Sequence, residues 1–470
     1  MRAWPLVRFR LRDDDVPIAL IFVVLAAFAC VTPVKNDTWT HLRMGHEMWQ
    51  TGSLLVTEKF SYTSFGNPLN NHWWLTQLAF FTVYSLGGSF ALTIFAGLCA
   101  LAATIGAWRL MRGPWEARVA LLGWLALAST PGWGIRPQVV SLAFIALMAH
   151  LIARDRLAWL PLVCVVWANT HALVIIGIAM AGALVMESLI WSPDRLRRTV
   201  IIAMLCAAAP VLTPAGVGYW REVFTTVAVS RALSIEEYRM PLDAAALPFW
   251  GGVVALVGLV AVRWKAMSDL PRPERGLIVA ALIMAVAGVT AARNASIFAV
   301  VAAPALSWLL PPAWDRVKPR LRSASPAGYG IVALAAMLAA IWVWQQWQSD
   351  RIAREWQPLS SGAIAAVRAC PDPMFNQFGD GAYLMWVLPQ RRVFVDGRIE
   401  AYSRDLLQQS RAADVFGVYD EPFQKYGINC AVVATDSPMF ERLTRDSRFD
   451  MAYSDPSRSV FTIRSRGETR

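Results

Sequence analysis

Long apolar runs alternate with short polar segments over roughly the first three quarters of the chain. A helix needs about 20 mostly apolar residues to cross a bilayer, and eleven of the runs approach that length or extend into their flanks. The pattern therefore predicts a polytopic α-helical membrane protein with about eleven spans. The predicted spans are residues 17–34, 89–108, 118–133, 139–153, 157–170, 171–191, 199–213, 247–263, 276–291, 294–311 and 327–347.

A further apolar stretch, residues 74–87, decides the sidedness of the chain. If it lies along the membrane interface, twenty Lys and Arg residues fall on the face of the N-terminus and eight on the other face. Cytoplasmic loops carry the excess of positive charge, so we expect a cytoplasmic N-terminus. Loop 35–88, with its interfacial helices, is then on the outer side. We also expect the first run to be a retained helix, because it shows no signal-peptide cleavage pattern.

The pattern changes after residue 347. Residues 348–470 contain sixteen basic and sixteen acidic residues, and short β-rich runs alternate there with helical stretches. This predicts a transmembrane domain over 1–347 and a small periplasmic α/β domain over 348–470. The predicted strands are 392–395, 430–433 and 459–463, and the predicted helices are 403–412 and 437–444.

Composition narrows the class of protein. Hydrophobic residues make up 56% of the chain, more than a soluble core buries. The net charge of +11 comes from cationic residues in short loops, so it indicates topology and no nucleic-acid partner. No glycine-rich phosphate loop of the dinucleotide or Walker type is present. Cys370 and Cys430 are in the soluble part, and the sequence leaves open whether they form a disulfide.

The first outer loop opens directly after a span with Asp37, and His41 follows four residues later. A carboxylate at the membrane boundary is suited to act as general base toward an acceptor hydroxyl or amine, while a lipid-borne substrate stays in the bilayer. The two side chains share a face if the segment is helical. An equally good alternative is that Asp37 caps a surface helix anchored at the interface by Trp39.

Other polar side chains lie at the outer ends of spans, where they are costly without a function or a partner. Arg136 and Arg293 are suited to bind the diphosphate or phosphate of a lipid carrier, although each could also reach lipid headgroups or pair with a neighbouring carboxylate. The further candidates for substrate binding are His72, Trp39, Asn169 and His171. The charged cluster Glu236-Glu237-Tyr238-Arg239 is typical of a solvated face.

In the soluble part, Val395-Asp396-Gly397-Arg398 follows a predicted strand. Ligands bind at the carboxyl ends of strands in α/β sheets, which makes Asp396 and Arg398 candidates for a site. The competing interpretation is a structural turn in which these two residues tie the loop to the sheet.

The layout resembles that of the C-type (GT-C) glycosyltransferases, which depend on polyprenyl-phosphate sugars and include relatives of protein mannosyltransferases and of the aminoarabinose transferase of lipid A. It is most similar to a poorly characterised bacterial branch with an Asp-x-Trp-x-His-Leu-x-x-Gly opening. Asp37, Trp39, His41, Leu42 and Gly45 match that opening, and residues 395–398 match its Val-Asp-Gly-Arg segment.

The resemblance implies an inverting sugar transfer from a polyprenyl-phosphate donor to a glycan, lipid or protein acceptor of the cell envelope. The reaction would take place on the periplasmic face of a bacterial inner membrane, with Asp37 as the catalytic base. Relatives often have a second acidic residue nearby or a tandem proline, whereas this chain has Asn71-His72-Trp73-Trp74. This departure argues against a required divalent metal. A transporter, a lipid-translocating protein and a non-catalytic assembly partner are the alternatives.

Overall fold

Residues 15–232, 236–310 and 325–464 are described by a computed structural model of the chain. The helical part of these residues runs to Trp347 and contains α1 to α13. These are α1 Val16–Ala29, α2 Asn36–Thr51, α3 Trp74–Leu110, α4 Trp115–Ser129, α5 Pro137–Ala153, α6 Leu160–Ala168, α7 Val174–Trp191, α8 Leu196–Ala208, α9 Tyr219–Ala232, α10 Leu247–Arg263, α11 Arg272–Thr290, α12 Ala295–Leu309 and α13 Pro326–Trp347.

A helix lies at each of the predicted spans, and several are shorter than the apolar run that predicted them. The run 157–170, for example, becomes a 3-10 turn followed by the nine-residue α6. Within the described ranges, six helices are long and apolar enough to cross a bilayer, or seven if α8 and α9 form one bent span. The protein is therefore a helical membrane protein, and the count of eleven spans stays a prediction.

The stretch 74–87 forms the first part of α3. This helix has 37 residues, which is about 55 Å at 1.5 Å per residue, against a hydrocarbon core of about 30 Å. Non-helical torsions at Gly87 and Gly88 divide it, and Gly88 has a φ of +61° that favours glycine. The break falls where the predicted interfacial segment ends and the next predicted span begins.

The rest of the described chain is a small α/β unit. Its sheet has the order β1-β2-β4-β3, with β1 parallel to β2 and the other neighbours antiparallel. Cys370 and Cys430 form a disulfide. The elements are α14 Asp350–Trp356, α15 Ser361–Ala369, β1 Met374–Asn376, α16 Gly381–Val387, α17 Arg404–Phe416, α18 Asp420–Tyr426, β2 Cys430–Ala434, α19 Pro438–Arg445, β3 Phe449–Ser454 and β4 Arg458–Ile463.

The prediction of a strand at 392–395 was wrong. Only an isolated bridge between Val393 and Ser61 forms there. The side-chain amide of Asn376 replaces part of a ladder, because its oxygen accepts from the Phe394 N–H and its nitrogen donates to the Val395 carbonyl. The segment therefore lies between the first loop and β1, and it joins the soluble unit to the helical part.

Candidate functional site

The first turn of α2 places Asp37 beside α5. Val34 and Ile135 form a parallel bridge, and the Thr38 hydroxyl donates to the Ile135 carbonyl. Arg136 follows in an extended conformation as the N-cap of α5. As a result, Oδ1 of Asp37 lies 3.6 Å from Nε of Arg136.

Gly45, at the end of the motif that begins with Asp37, explains how closely α2 packs on α3. A Cβ added at Gly45 would lie 2.1 Å from the Gln77 carbonyl oxygen, a distance that real Cβ atoms do not adopt. Only glycine permits this approach. The glycine therefore fixes the position of α2, and with it Asp37, against the first part of α3.

Most of the predicted site residues line one cavity of about 300 Å³, which we call the main cavity. They come from both the helical part and the soluble unit. The predicted residues that line it are Asp37, His41, His72, Arg136, His171, Arg293 and Arg398.

Several polar atoms at the main cavity are buried without a hydrogen-bond partner in the described chain. They include Oδ1 of Asp37, Nε of Arg136, Nε of Arg293, and Nε2 of His72. Buried polar groups in folded proteins are nearly always hydrogen-bonded. A concentration of atoms without hydrogen-bond partners around one space indicates that a polar ligand or ordered water completes them. We call Asp37, His72, Arg136 and Arg293 the cavity cluster.

The two arginines have different partners. Nη1 of Arg136 donates to the Glu237 carboxylate at 2.7 Å. Nη1 of Arg293 donates to the Tyr238 hydroxyl at 2.6 Å, and its guanidinium lies 4.9 Å from the centre of the Tyr238 ring. The 3-10 turn Glu236–Tyr238 therefore contacts both guanidinium groups, and it is part of the site, not a solvated face.

Three of the five histidines of the chain line the main cavity. Burial lowers the pKa of His41 to about 4, against a smaller opposing effect of Asp37. His171 is also buried, and its Nδ1 lies 2.9 Å from the Ser141 hydroxyl oxygen. Nδ1 of His72 lies 3.3 Å from Oε1 of Glu222, on α9. The burial of His41 and His171 favours the neutral form of both imidazoles.

Sequence reasoning missed the carboxylates of Glu222, Glu237 and Glu400. Burial raises the pKa of Glu400 to about 8, and the nearby charge of Glu222 adds to the effect. Glu222 reaches the site because α8 and the segment carrying α9 meet at 113°. Two weak signals were present in the sequence: Glu237 belongs to the charged cluster 236–239, and Glu400 follows the Val-Asp-Gly-Arg motif.

Behind the cavity lies a buried network that we call the docking cluster: Glu58, Asp396, Arg398 and Tyr402. The Arg398 guanidinium donates to both oxygens of Glu58, at 2.5 and 3.1 Å, and to both oxygens of Asp396, at 2.8 and 2.6 Å. The Tyr402 hydroxyl donates to Asp396 at 2.6 Å. Burial opposes ionisation of Asp396, but the charge of Arg398 and the hydrogen bonds from Arg398 and Tyr402 together outweigh it and hold the pKa of Asp396 below its usual value.

Two predicted residues lie elsewhere. Trp39 is buried, and its ring centre lies 5.1 Å from that of Tyr383 and 5.2 Å from that of Trp356, so it packs α2 against the soluble unit. Asn169 accepts from the Trp74 indole at 2.7 Å and donates to the Leu212 carbonyl. Both residues position the helices around the site without lining the main cavity.

A second cavity of about 260 Å³ adjoins the main cavity. Arg136, Gln138, Glu237 and Arg293 line both, so these side chains form the wall between them. Lys35 and Asp243 add charge on the far side. In the part of the chain that the structure describes, no cluster of three His, Cys, Asp or Glu residues is arranged to hold a metal ion.

Comparison with known proteins identifies the fold. No family model and no curated protein sequence matches the chain. The structure of the oligosaccharyltransferase AglB from Archaeoglobus fulgidus, in complex with an inhibitory peptide and a dolichol-phosphate, matches with a TM-score of 0.55 at 12% identity. The match covers 89% of this chain and 69% of AglB.

A second similar structure is ArnT from Cupriavidus metallidurans bound to undecaprenyl phosphate. Its TM-score is 0.50 at 15% identity, and the match covers 95% of this chain and 97% of ArnT. The chain therefore has the fold of the C-type membrane glycosyltransferases, as the sequence motifs suggested. At these identities the likeness establishes the fold alone.

Proposed function

We propose that the protein transfers a sugar from a polyprenyl-phosphate donor to an acceptor of the cell envelope, on the periplasmic face of a bacterial inner membrane. The observation that carries the proposal is the meeting of Asp37, Arg136 and Arg293 at one cavity. Asp37 is an acid at the start of α2, and Arg136 and Arg293 are cations from distant parts of the chain. The similar structures hold a dolichol-phosphate and undecaprenyl phosphate, which supports a lipid phosphate as the ligand.

In the proposed reaction, Asp37 accepts the proton of the acceptor hydroxyl or amine. The acceptor atom attacks the anomeric carbon of the sugar, and the bond from that carbon to the phosphate oxygen breaks. The lipid phosphate leaves with the electron pair, and the guanidinium groups at the cavity stabilise its developing charge. Direct displacement at one face of the sugar inverts the anomeric configuration.

Positioning supplies most of the catalysis in this scheme. The neutral imidazoles of His41 and His171 are suited to hydrogen-bond sugar hydroxyls without adding charge. Holding donor and acceptor in reacting geometry replaces an encounter between two free molecules. The periplasmic location rests on the distribution of Lys and Arg among the loops.

A transporter is the weaker alternative. Glu187, an acidic residue within the predicted span 171–191, is paired with Arg275 at 2.8 Å and accepts from Ser192. Because these contacts satisfy the carboxylate within the protein, Glu187 does not indicate a binding site for a transported ion.

The substitution Asp37→Asn tests the proposal. It keeps the size of the side chain and removes the proton acceptor, and we expect the envelope glycan made by the protein to fall about 10²-fold or more. The measurement is mass spectrometry of envelope glycans from cells that carry the variant as their only copy.

Glu47→Gln is the matched control, because Glu47 is also on α2 but pairs with Arg43 and Lys59 away from the main cavity. It should retain the glycan at the wild-type level. Equal amounts of both variants in the membrane exclude a folding defect. A normal glycan level in the Asp37→Asn strain would refute the catalytic role.

A further inference from the structure

Arg136 and Arg293 do not present equal positive charge to a ligand. Arg136 has two carboxylate neighbours, Asp37 at 3.6 Å and Glu237 at 2.7 Å. Arg293 contacts the Tyr238 hydroxyl, and among the side chains that the structure describes no carboxylate is paired with it. The charge of Arg136 is therefore compensated within the protein, whereas that of Arg293 is available to a ligand.

The other charged groups at the main cavity do not add positive charge. Arg398 is held by two carboxylates of the docking cluster. Asp37 contributes a carboxylate to the same wall. On the far side, Lys35 is accompanied by Asp243. The site therefore suits an anion of low charge better than a highly charged one.

We propose that Glu237 is a specificity-determining residue: by compensating Arg136 it leaves a single available guanidinium, so the site selects lipid carriers with one phosphate over those with a diphosphate. This inference rests on the proposed function, because it takes a lipid-linked donor as given. A sugar linked through one phosphate carries one negative charge there, which matches Arg293. A second phosphate would add charge beside Glu237 and Asp37 with no available cation.

Tyr238 completes the arrangement. It follows Glu237 on the same turn and holds Arg293 through a hydroxyl and a ring face, which fix the guanidinium without neutralising it. Adjacent residues thus have opposite effects on the two arginines. The Glu237 carboxylate compensates the charge of Arg136, whereas the Tyr238 phenol leaves the charge of Arg293 uncompensated.

The test compares binding of undecaprenyl phosphate and undecaprenyl diphosphate to the full-length protein in lipid nanodiscs. We expect the wild type to bind the monophosphate more tightly. The variant Glu237→Gln keeps the shape and removes the closer of the two carboxylates that compensate Arg136, so the preference should shift toward the diphosphate by about tenfold or more, equivalent to about 1.4 kcal/mol. Arg293→Gln should weaken binding of both lipids.

Asp194→Asn is the matched control. Asp194 forms a similar pair with Arg272, at 3.1 Å, on the segment that joins α7 to α8, and it lines neither cavity. Its preference should equal that of the wild type. An unchanged preference in Glu237→Gln would overturn the inference and leave the proposed function intact. Wild-type binding of both lipids by Arg293→Gln would instead refute the anion site on which the proposed function depends.

Discussion

The cavity cluster and the docking cluster are built from the same kinds of side chain, but their polar atoms differ in how completely they are hydrogen-bonded. In the docking cluster, Arg398 bonds both oxygens of Glu58 and of Asp396, and the backbone N–H groups of Phe60 and Ser61 also donate to Glu58. In the cavity cluster, by contrast, each of the four members has a buried polar atom without a hydrogen-bond partner within the described chain.

The completeness of hydrogen bonding distinguishes structural side chains from functional ones more reliably than residue type does. A satisfied buried network stabilises one arrangement of the chain, and loss of one member leaves its partners buried and charged. An unsatisfied group is a cost to the folded state that binding of a ligand can remove. The docking cluster therefore stabilises the fold, and the cavity cluster is expected to bind.

The largest effect is expected from Arg398→Gln. The substitution leaves Glu58 and Asp396 buried without their cation, which destabilises a protein by about 3–5 kcal/mol. The measurement is thermal unfolding in detergent, together with proteolysis of the segment that joins α13 to the soluble unit. Arg464→Gln breaks an exposed pair with Asp450 and should cause no measurable change. A stable Arg398→Gln variant would remove the structural half of the comparison.

A smaller effect is expected from the titration of Glu400. Its pKa rises from 4.5 to about 8 in the folded protein, so the folded state binds more protons than the unfolded state between these values. The stability is then complete below pH 4.5 and is lost as the pH rises through 8. We expect the melting temperature to fall by roughly 2–4 °C or more between pH 5 and 9. Glu400→Gln should remove this part of the pH dependence; an identical profile would contradict it.

The smallest effect on stability is expected from Arg293→Gln, although it should lose lipid binding. Nε of Arg293 is already unpaired, and its main bond is to the neutral Tyr238. The change in unfolding free energy should stay below about 1 kcal/mol. Thermal unfolding of the ligand-free protein checks this expectation, and a large loss of stability would place Arg293 with the docking cluster.

The parts of the fold that depend on local composition could be predicted from the sequence. Apolar length predicted where the helices lie, and Asp37, Arg136 and Arg293 stood out because polar groups at the ends of spans are costly. Gly45, on α2, was recognised as part of a motif. Glycine is required there because of the close approach to Gln77, which no local sequence pattern reveals.

Contacts across long sequence distances were beyond prediction. Glu58 and Arg398 are 340 residues apart, and Glu222 reaches the site only through the bend between α8 and α9. Residues 392–395 have the composition of a strand, but the side chain of Asn376 takes the place of a neighbouring strand. Trp39 has the signature of an interfacial anchor, whereas tertiary packing places it among aromatic rings.

The distance between Glu58 and Arg398 along the chain also has a consequence for biosynthesis. The ribosome makes Glu58 early and its guanidinium partner only near the end, after every helix from α3 to α16. Until then Glu58 has no counterion, and the wall that contains Glu400 is missing. A nascent chain therefore cannot assemble the main cavity before the segment with Arg398 has been made.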